Sequence, residues 1–495
     1  MGLLGIYRRR GGQGPAKTKG GQTKLFSRME TKKKSFILMN VLLGIALAIY
    51  AVAQSLVHNP DTDVFFIIDI GRYGFNHHAV PHEAYWYINS GVHTVIQQWL
   101  CGLVNYIAYM LGKDWGMVVL GMIMNGLLLF SLYKYGKDTL KDKTLGLNAA
   151  IFCWIALNKF ISTRPYAVTI SLALMQVLTL REFSSKEKPT KKEFLIFIAK
   201  MCAMFIFIAN WQSSNILFLV LFMLCFIPRF KDRKFSINWR VIVAMLAGIA
   251  VTPINPNGLE GLLYLWNAKD YMAPFNIIEV APPKLISIYT FLIIVVAGLM
   301  IYGLIKRKIT SDEFFLAAGC LVMSCMFMRC CWTLVLPLIP MLRNVKFTDG
   351  SNKLMKIGYI LVGFVCISQI FIFFMGKTDD RTKMVEVLPG PEKTVLYTDF
   401  NTGAFFLLSD YKVYYDARSE LMGRHIAGDK AFYDEAVSIW DGSGDMKSFI
   451  GKYGFNYFAP TTGTPMDQYL ASHPDEYTLI FTNAKDEINI YKANS

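Results

Sequence analysis

Eleven stretches of this chain are apolar over close to the length needed to cross a bilayer, and short basic connectors separate many of them. They lie near residues 36–56, 115–134, 146–161, 165–181, 194–209, 214–228, 239–253, 286–305, 312–328, 331–343 and 355–375. About 20 residues of helix span the hydrocarbon core, and several of these stretches are shorter, so their bounds are soft. Hydrophobic residues make up 54% of the chain and charged residues 18%, below the roughly 25% of an ordinary soluble domain. This pattern predicts a polytopic α-helical membrane protein.

The charges assign sides. "YKYGKDTLKDK", "REFSSKEKPTKKE", "PRFKDRKF", "KRK" at 306–308 and "RNVKFTDGSNKLMK" all fall on one side if the chain crosses 11 times. By the positive-inside rule that side is cytoplasmic, with the N-terminus inside and the C-terminus outside. The count requires that residues 93–112, which open with His93, Gln97 and Gln98, lie along the outer leaflet as an interfacial helix. If they cross instead, the count becomes twelve and later basic connectors fall outside. Residues 1–35 carry ten Lys/Arg against one Glu and read as a basic disordered cytoplasmic tail. Phe36 to Leu56 then reads as an uncleaved signal-anchor. The net charge of +15 therefore reports topology, and no basic-aromatic face suggests nucleic acid. All nine cysteines lie in apolar stretches, which predicts buried small side chains and no disulfide framework.

Two regions depart from this pattern. The first external loop, 57–114, concentrates acids, histidines and aromatics beside the first apolar stretch. Residues 376–495 carry twelve Lys/Arg against eighteen Asp/Glu and read as a small soluble α/β domain outside the membrane. Within it "TVLYTDF", "AFFLLSD", "KVYYDAR", "YTLIFTN" and "INIYK" are expected as strands, and "GDKAFYDEAVSIW" and "DMKSFIGKYG" as helices. It lacks a Walker loop, a GxGxxG and a Ser-His-Asp pattern, so it is expected as a lid or recognition domain. The transmembrane domain occupies 36–375.

With this topology Asp63, Arg164, Asn210, Asn255, Glu279 and Arg329 gather at the outer face. Charge at a membrane is expensive and marks a pathway or site, although Arg164 and Arg329 also fit the plainer role of cations snorkelling at span ends. An aspartate there can act as general base on an acceptor hydroxyl, and a guanidinium can hold a phosphate through paired hydrogen bonds. Together these suit sugar transfer from a lipid-phosphate donor.

The stretch from Asp63 to Leu100 resembles the first external loop of the GT-C integral-membrane glycosyltransferases, above all a bacterial branch related to mannosyl- and aminoarabinose-transferases. The resemblance rests on Asp63, Phe65-Phe66, Gly71, Pro81, Tyr85-Trp86-Tyr87 and Trp99-Leu100. "TRP" at 163–165, "NWQ" at 210–212, "NPNG" at 255–258, "MRC" around Arg329 and "YYDARSE" at 414–420 recur in similar places. It implies a polyprenyl-phosphate-sugar donor, an extracytoplasmic acceptor (glycan, lipid or protein), inversion at the sugar carbon, and an active site facing outward from the plasma membrane. Asp63 matches the family's catalytic position, with Asp61 in reserve. Arg164 and Arg329 are expected on the donor phosphate, and Asn210, Trp211, Gln212, Glu279, Tyr85 and Glu83 around the substrates. Asp61-Thr62-Asp63 also spells the DxD that some relatives use with Mg²⁺ or Mn²⁺, but lipid-phosphate-sugar enzymes often need no metal and none is expected here.

The chain departs from the family at Phe65-Phe66-Ile67, where relatives often carry Trp-Trp-His. His77, His78 and His82 are expected to be solvated, as is Asp69, and Asp416 and Arg418 to form a pair or turn within their own domain. Two competing readings remain. One is an accessory protein that kept the fold without the activity; the other is a lipid or polysaccharide transporter.

Overall fold

A computed structural model of the chain describes residues 62–157, 160, 163–186, 188–231, 234–268, 281–345, 381–484 and 486–494. The N-terminal tail, the apolar stretches near 36–56 and 355–375, Asp61 and Glu279 lie outside the described residues.

Helix α1 (Thr62–His77) and helix α2 (Trp99–Leu140) cross at two glycines. A side chain at Gly71 would collide with the backbone carbonyl of Gly102 and stand 2.8 Å from the Cβ of Tyr106. Glycine spacing on both partners lets the backbones meet. Helix α2 then breaks at Lys113 (φ 48°, ψ −130°). Beyond the break, Gly116 packs directly on the Ala108 carbonyl. Eight residues of straight helix would separate those two by about 12 Å, so the chain turns back here. Residues 99–112 and the helix that follows are therefore two separate rods.

The bundle continues with α3 (Lys143–Ala156), α4 (Tyr166–Ser184), α5 (Lys191–Trp211) and α6 (Ile216–Leu224). A hairpin of β1 (Pro228–Lys231) and β2 (Lys234–Ile237) follows, then α7 (Trp239–Ala250), α8 (Gly258–Ala268), α9 (Ile288–Ile305), α10 (Ser311–Met326) and α11 (Val335–Met341). Among the described residues α2, α4, α5 and α9 are long and apolar enough to cross a membrane, and α3, α6 and α7 are shorter apolar helices. Such a chain is a membrane protein. The stretch near 331–343 is built differently: its 3₁₀ turn and the seven-residue α11, with Pro340 inside, are almost wholly buried in protein.

The C-terminal domain holds β3 (Leu396–Thr398), α12 (Ala404–Leu407), α13 (Tyr433–Asp441), α14 (Met446–Tyr453), β4 (Tyr457–Ala459), α15 (Pro465–Ser472), β5 (Tyr477–Asn483) and β6 (Ile488–Ala493). Its four strands run in the order β3-β4-β6-β5, parallel between β3 and β4 and antiparallel elsewhere. Residues 404–407, expected as a strand, form a helical turn. Ala404, Phe405, Phe406 and Leu407 are all buried, so no alternation of faces existed to be read. The "KVYYDAR" stretch contributes only a bridge at Val413, while β4 and α15 have no counterpart among the expected elements.

The sheet does not end at β3. Val413 bridges Leu396 on one side and Tyr87 of the first loop on the other. The Val413 amide donates to the Trp86 carbonyl (2.9 Å), and the Ile88 amide donates to the Val413 carbonyl (2.9 Å). A segment of the transmembrane domain thus closes an edge that would otherwise expose unpaired backbone groups.

Inside the domain Tyr414 meets Phe449 (4.9 Å between ring centres), and its hydroxyl donates to Glu435 (2.9 Å). Tyr453 (2.5 Å) and Lys452 donate to the same carboxylate. Burial pushes the Glu435 carboxyl up, but the bonds from Lys452, Tyr453 and Tyr414 outweigh it and hold it below its usual 4.5.

Two expectations follow. Gly71→Val should lower the thermal unfolding midpoint of the detergent-solubilised protein, through an overpacking penalty of about 1–3 kcal/mol; an unchanged midpoint would show the crossing to be looser than described. Because the folded Glu435 carboxyl lies below 4.5, its contribution to stability is present above that pH and lost as the pH falls through the folded value. Melting curves from pH 6 to pH 3 should therefore lose part of their acid-side slope in Glu435→Gln, and identical slopes would contradict the assignment.

Candidate active site at the first loop

Asp63 sits in the first turn of α1, where a helix N-terminus favours negative charge. Arg164 immediately precedes Pro165, the N-cap of α4, whose φ of −65° is the value the proline ring fixes. Its neighbours are tightly held. The Thr163 carbonyl accepts from the Asn105 amide (3.2 Å), and the Pro165 carbonyl accepts from the Trp211 indole (3.0 Å) and the Thr169 hydroxyl (3.0 Å). The Arg164 guanidinium meets the Asp63 carboxylate at 2.9 Å, and both side chains keep partial exposure, 17% and 26%. The residues expected as base and phosphate holder are thus in direct contact at the open edge of the bundle.

Three of the expected substrate-lining residues serve as joints of the scaffold. Asn210 donates to the Ile206 and Ile254 carbonyls (2.8 Å each) and accepts from the Trp99 indole (3.0 Å), so its amide is fully used. Trp211 is 4% exposed, and its indole N–H is taken by Pro165, which leaves little ring surface for a sugar. Gln212 is buried and accepts from Thr169 (3.3 Å) and Asn215. Asn257 grips the first loop, donating to the Ile96 carbonyl (2.8 Å) and accepting from the Ile96 amide (3.1 Å). These amides satisfy backbone groups where connectors converge, as burial requires.

Tyr85 turns inward, and its hydroxyl donates to Asp69 (2.8 Å). Glu83 is exposed and pairs through its backbone with His93, whose ring meets Glu260 at 3.0 Å. His77, His78 and His82 are exposed, as expected of solvated side chains. Among the described residues no group of three or more His, Cys, Asp or Glu is disposed to hold a metal.

Asp69 corrects an expectation. It was expected in solvent, six residues from Asp63, yet it is 1% exposed. Helix α1 has no wet face here, because α2 covers one side and the C-terminal domain the other. Arg72 bonds Asp69 (2.7 Å), Asp410 (2.8 Å) and the Leu407 carbonyl (3.1 Å) at the end of α12. Burial raises the Asp69 carboxyl, against the pull of Arg72 and Tyr85.

Asp416 and Arg418 do pair, through Nε to both carboxylate oxygens (3.0 and 3.1 Å), and their reach extends beyond their own domain. The Arg418 guanidinium lies over the Trp86 ring (3.9 Å) and the Phe66 ring (4.7 Å), and the Tyr87 hydroxyl donates to Asp416 (3.1 Å). A second clasp lies beside it, where Tyr264 of α8 donates to Glu420. Burial raises both groups, so the phenol stays protonated as donor. Arg329, in the 3₁₀ turn Met328–Leu334, is half-buried and acts electrostatically on Tyr264. Sequence reasoning missed Asp69, Arg72, Tyr264 and Glu420; the i, i+3 spacing of Asp69 and Arg72 was the one local signal.

Arg418→Met should destabilise domain docking by about 3–5 kcal/mol, because it strands the buried Asp416. Lysine should restore little, since it cannot combine the fork with ring stacking. Limited proteolysis of the intact protein reads this as faster release of a C-terminal fragment, and unchanged release would refute the clasp.

No family model matches this chain, and no curated protein matches it. Among solved structures it is similar to the oligosaccharyltransferase of Archaeoglobus fulgidus in its apo form. The TM-score is 0.56 at 10% identity, covering 85% of this chain and 69% of that one. The likeness is one of fold.

Proposed function

We propose that this protein transfers a sugar from a polyprenyl-phosphate-linked donor to an extracytoplasmic acceptor, with Asp63 as general base and Arg164 and Arg329 on the donor phosphate. The observation that carries the reading is the partly exposed Asp63–Arg164 pair at the edge of a bundle similar in fold to an oligosaccharyltransferase. In the resting state the guanidinium neutralises the carboxylate. A donor phosphate offers Arg164 a competing anion and paired acceptor oxygens, which draws it away from Asp63. The released carboxylate then accepts the acceptor's proton as the hydroxyl attacks the sugar carbon and the lipid phosphate leaves. A single displacement of this kind inverts the sugar carbon.

The proposal extends to the plasma membrane, 11 crossings, the N-terminus inside and the site facing outward. Within the GT-C fold it places the chain with the bacterial mannosyl- and aminoarabinose-transferase branch, on the short motifs that begin at Asp63. No metal is assigned. Asp61, the other half of the DxD, remains the reserve base or ligand.

In membranes supplied with lipid-linked sugar, Asp63→Asn should lower transfer by about 10²–10⁴-fold at normal protein level. Arg164→Gln should raise the donor concentration required, and EDTA should leave the wild-type rate unchanged. Undiminished transfer by Asp63→Asn would remove the catalytic role, and no transfer by the wild type with any lipid-linked sugar would favour the accessory or transporter reading.

A further inference from the structure

A cleft of about 920 Å³ opens between the end of α2, α4 and α5. It is far from the site above. Arg164 precedes α4 and Arg181 is in its last turn, so roughly 25 Å of helix separates them. The cleft therefore belongs to the opposite end of the bundle.

Its walls are apolar along helical faces: Leu172, Met175 and Leu178 on α4, and Ala203, Met204 and Phe207 on α5. From Arg181 to Leu172 these walls run about 14 Å, close to one leaflet of a roughly 30 Å hydrocarbon core. The rim is basic. Lys134, Lys141, Lys200, Arg181 and Arg343 outnumber Asp138 and Glu182. Glu313 already holds Arg181 (3.3 Å) and Arg343 (2.8 Å) from behind. Lys134, Lys141 and Lys200 enter no ion pair among the described residues.

We propose that this cleft is a binding site for an anionic phospholipid taken from the surrounding leaflet. The apolar walls accept an acyl chain, and the three lysines, with flexible stems that reach the interface, meet the phosphate. A soluble anion would leave the walls unfilled, and a zwitterionic lipid would leave the excess positive charge unmatched. Basic pockets between membrane helices bind lipid headgroups by the same balance of charge and apolar surface. Met175, at 46% exposed, leaves the wall open sideways, the direction from which a bulk lipid enters.

The test uses the full chain in detergent, titrated with phosphatidylglycerol or phosphatidylcholine of equal acyl composition and read by native mass spectrometry. Phosphatidylglycerol should be retained at least about tenfold better. K134Q/K141Q/K200Q should abolish the preference, and Ala203→Trp, which fills the apolar wall but keeps the charges, should lower retention as well; thermal melts confirm that each variant is folded. Equal retention of the two lipids overturns the proposal. So does an unchanged preference in the triple variant, displacement by millimolar inorganic phosphate, or preferential retention of a polyprenyl phosphate over phosphatidylglycerol.

Discussion

The organisation of the candidate-site end of the bundle depends on one buried cation. Arg418 is 6% exposed, and removing a guanidinium from water is costly unless charge and hydrogen bonds replace the solvent. Asp416 supplies the charge and Trp86 and Phe66 supply the ring faces, so the arginine is satisfied only while the first loop and the C-terminal domain are joined. The backbone pairing of Val413 with Trp86 and Ile88 holds the same seam in register. Through Asp69 and Arg72 the seam also braces α1, the helix whose first turn carries Asp63. A domain that reads as a separate lid is thereby part of the scaffold that orients the candidate base.

Polar residues at this face divide into two kinds by how their hydrogen bonds are spent. Asn210, Gln212 and Asn257 use their amides on backbone carbonyls, backbone amides and neighbouring side chains, which is what converging connectors at a membrane face demand. Asp63 and Arg164 meet each other and keep partial solvent access. A charged pair of that sort can exchange partners when an anionic ligand arrives, whereas a buried amide joint cannot do so without opening the fold.

Several elements were legible in the sequence because their causes are local. The apolar spans report the bilayer directly. Tyr433–Asp441 and Met446–Tyr453 follow from helical periodicity, and β5 and β6 from strand-like residue types. Gly71 stood out as part of a motif, and only the crossing at Gly102 gave it a physical reason. Asp69 was misjudged because spacing along one helix says nothing about what covers its other face. Ala404–Leu407 was misjudged because burial on every side erases periodicity.

The amino-acid sequence by itself determined the class of the protein: apolar segments of bilayer scale, short basic connectors between them, and an acidic stretch with a different residue pattern after them. It also drew attention to Asp63, through its place in a family-like motif beside the first apolar stretch, and to Arg164, because charge beside a membrane is costly. Only the tertiary structure decided that these two side chains meet, that Asn210, Trp211 and Gln212 are joints, and that the first loop completes the sheet of the C-terminal domain. The reason is distance along the chain. Asp63 and Arg164 are 101 residues apart and Tyr87 and Asp416 are 329 apart, so no local pattern encodes their contact, and it exists only once packing has brought the elements together.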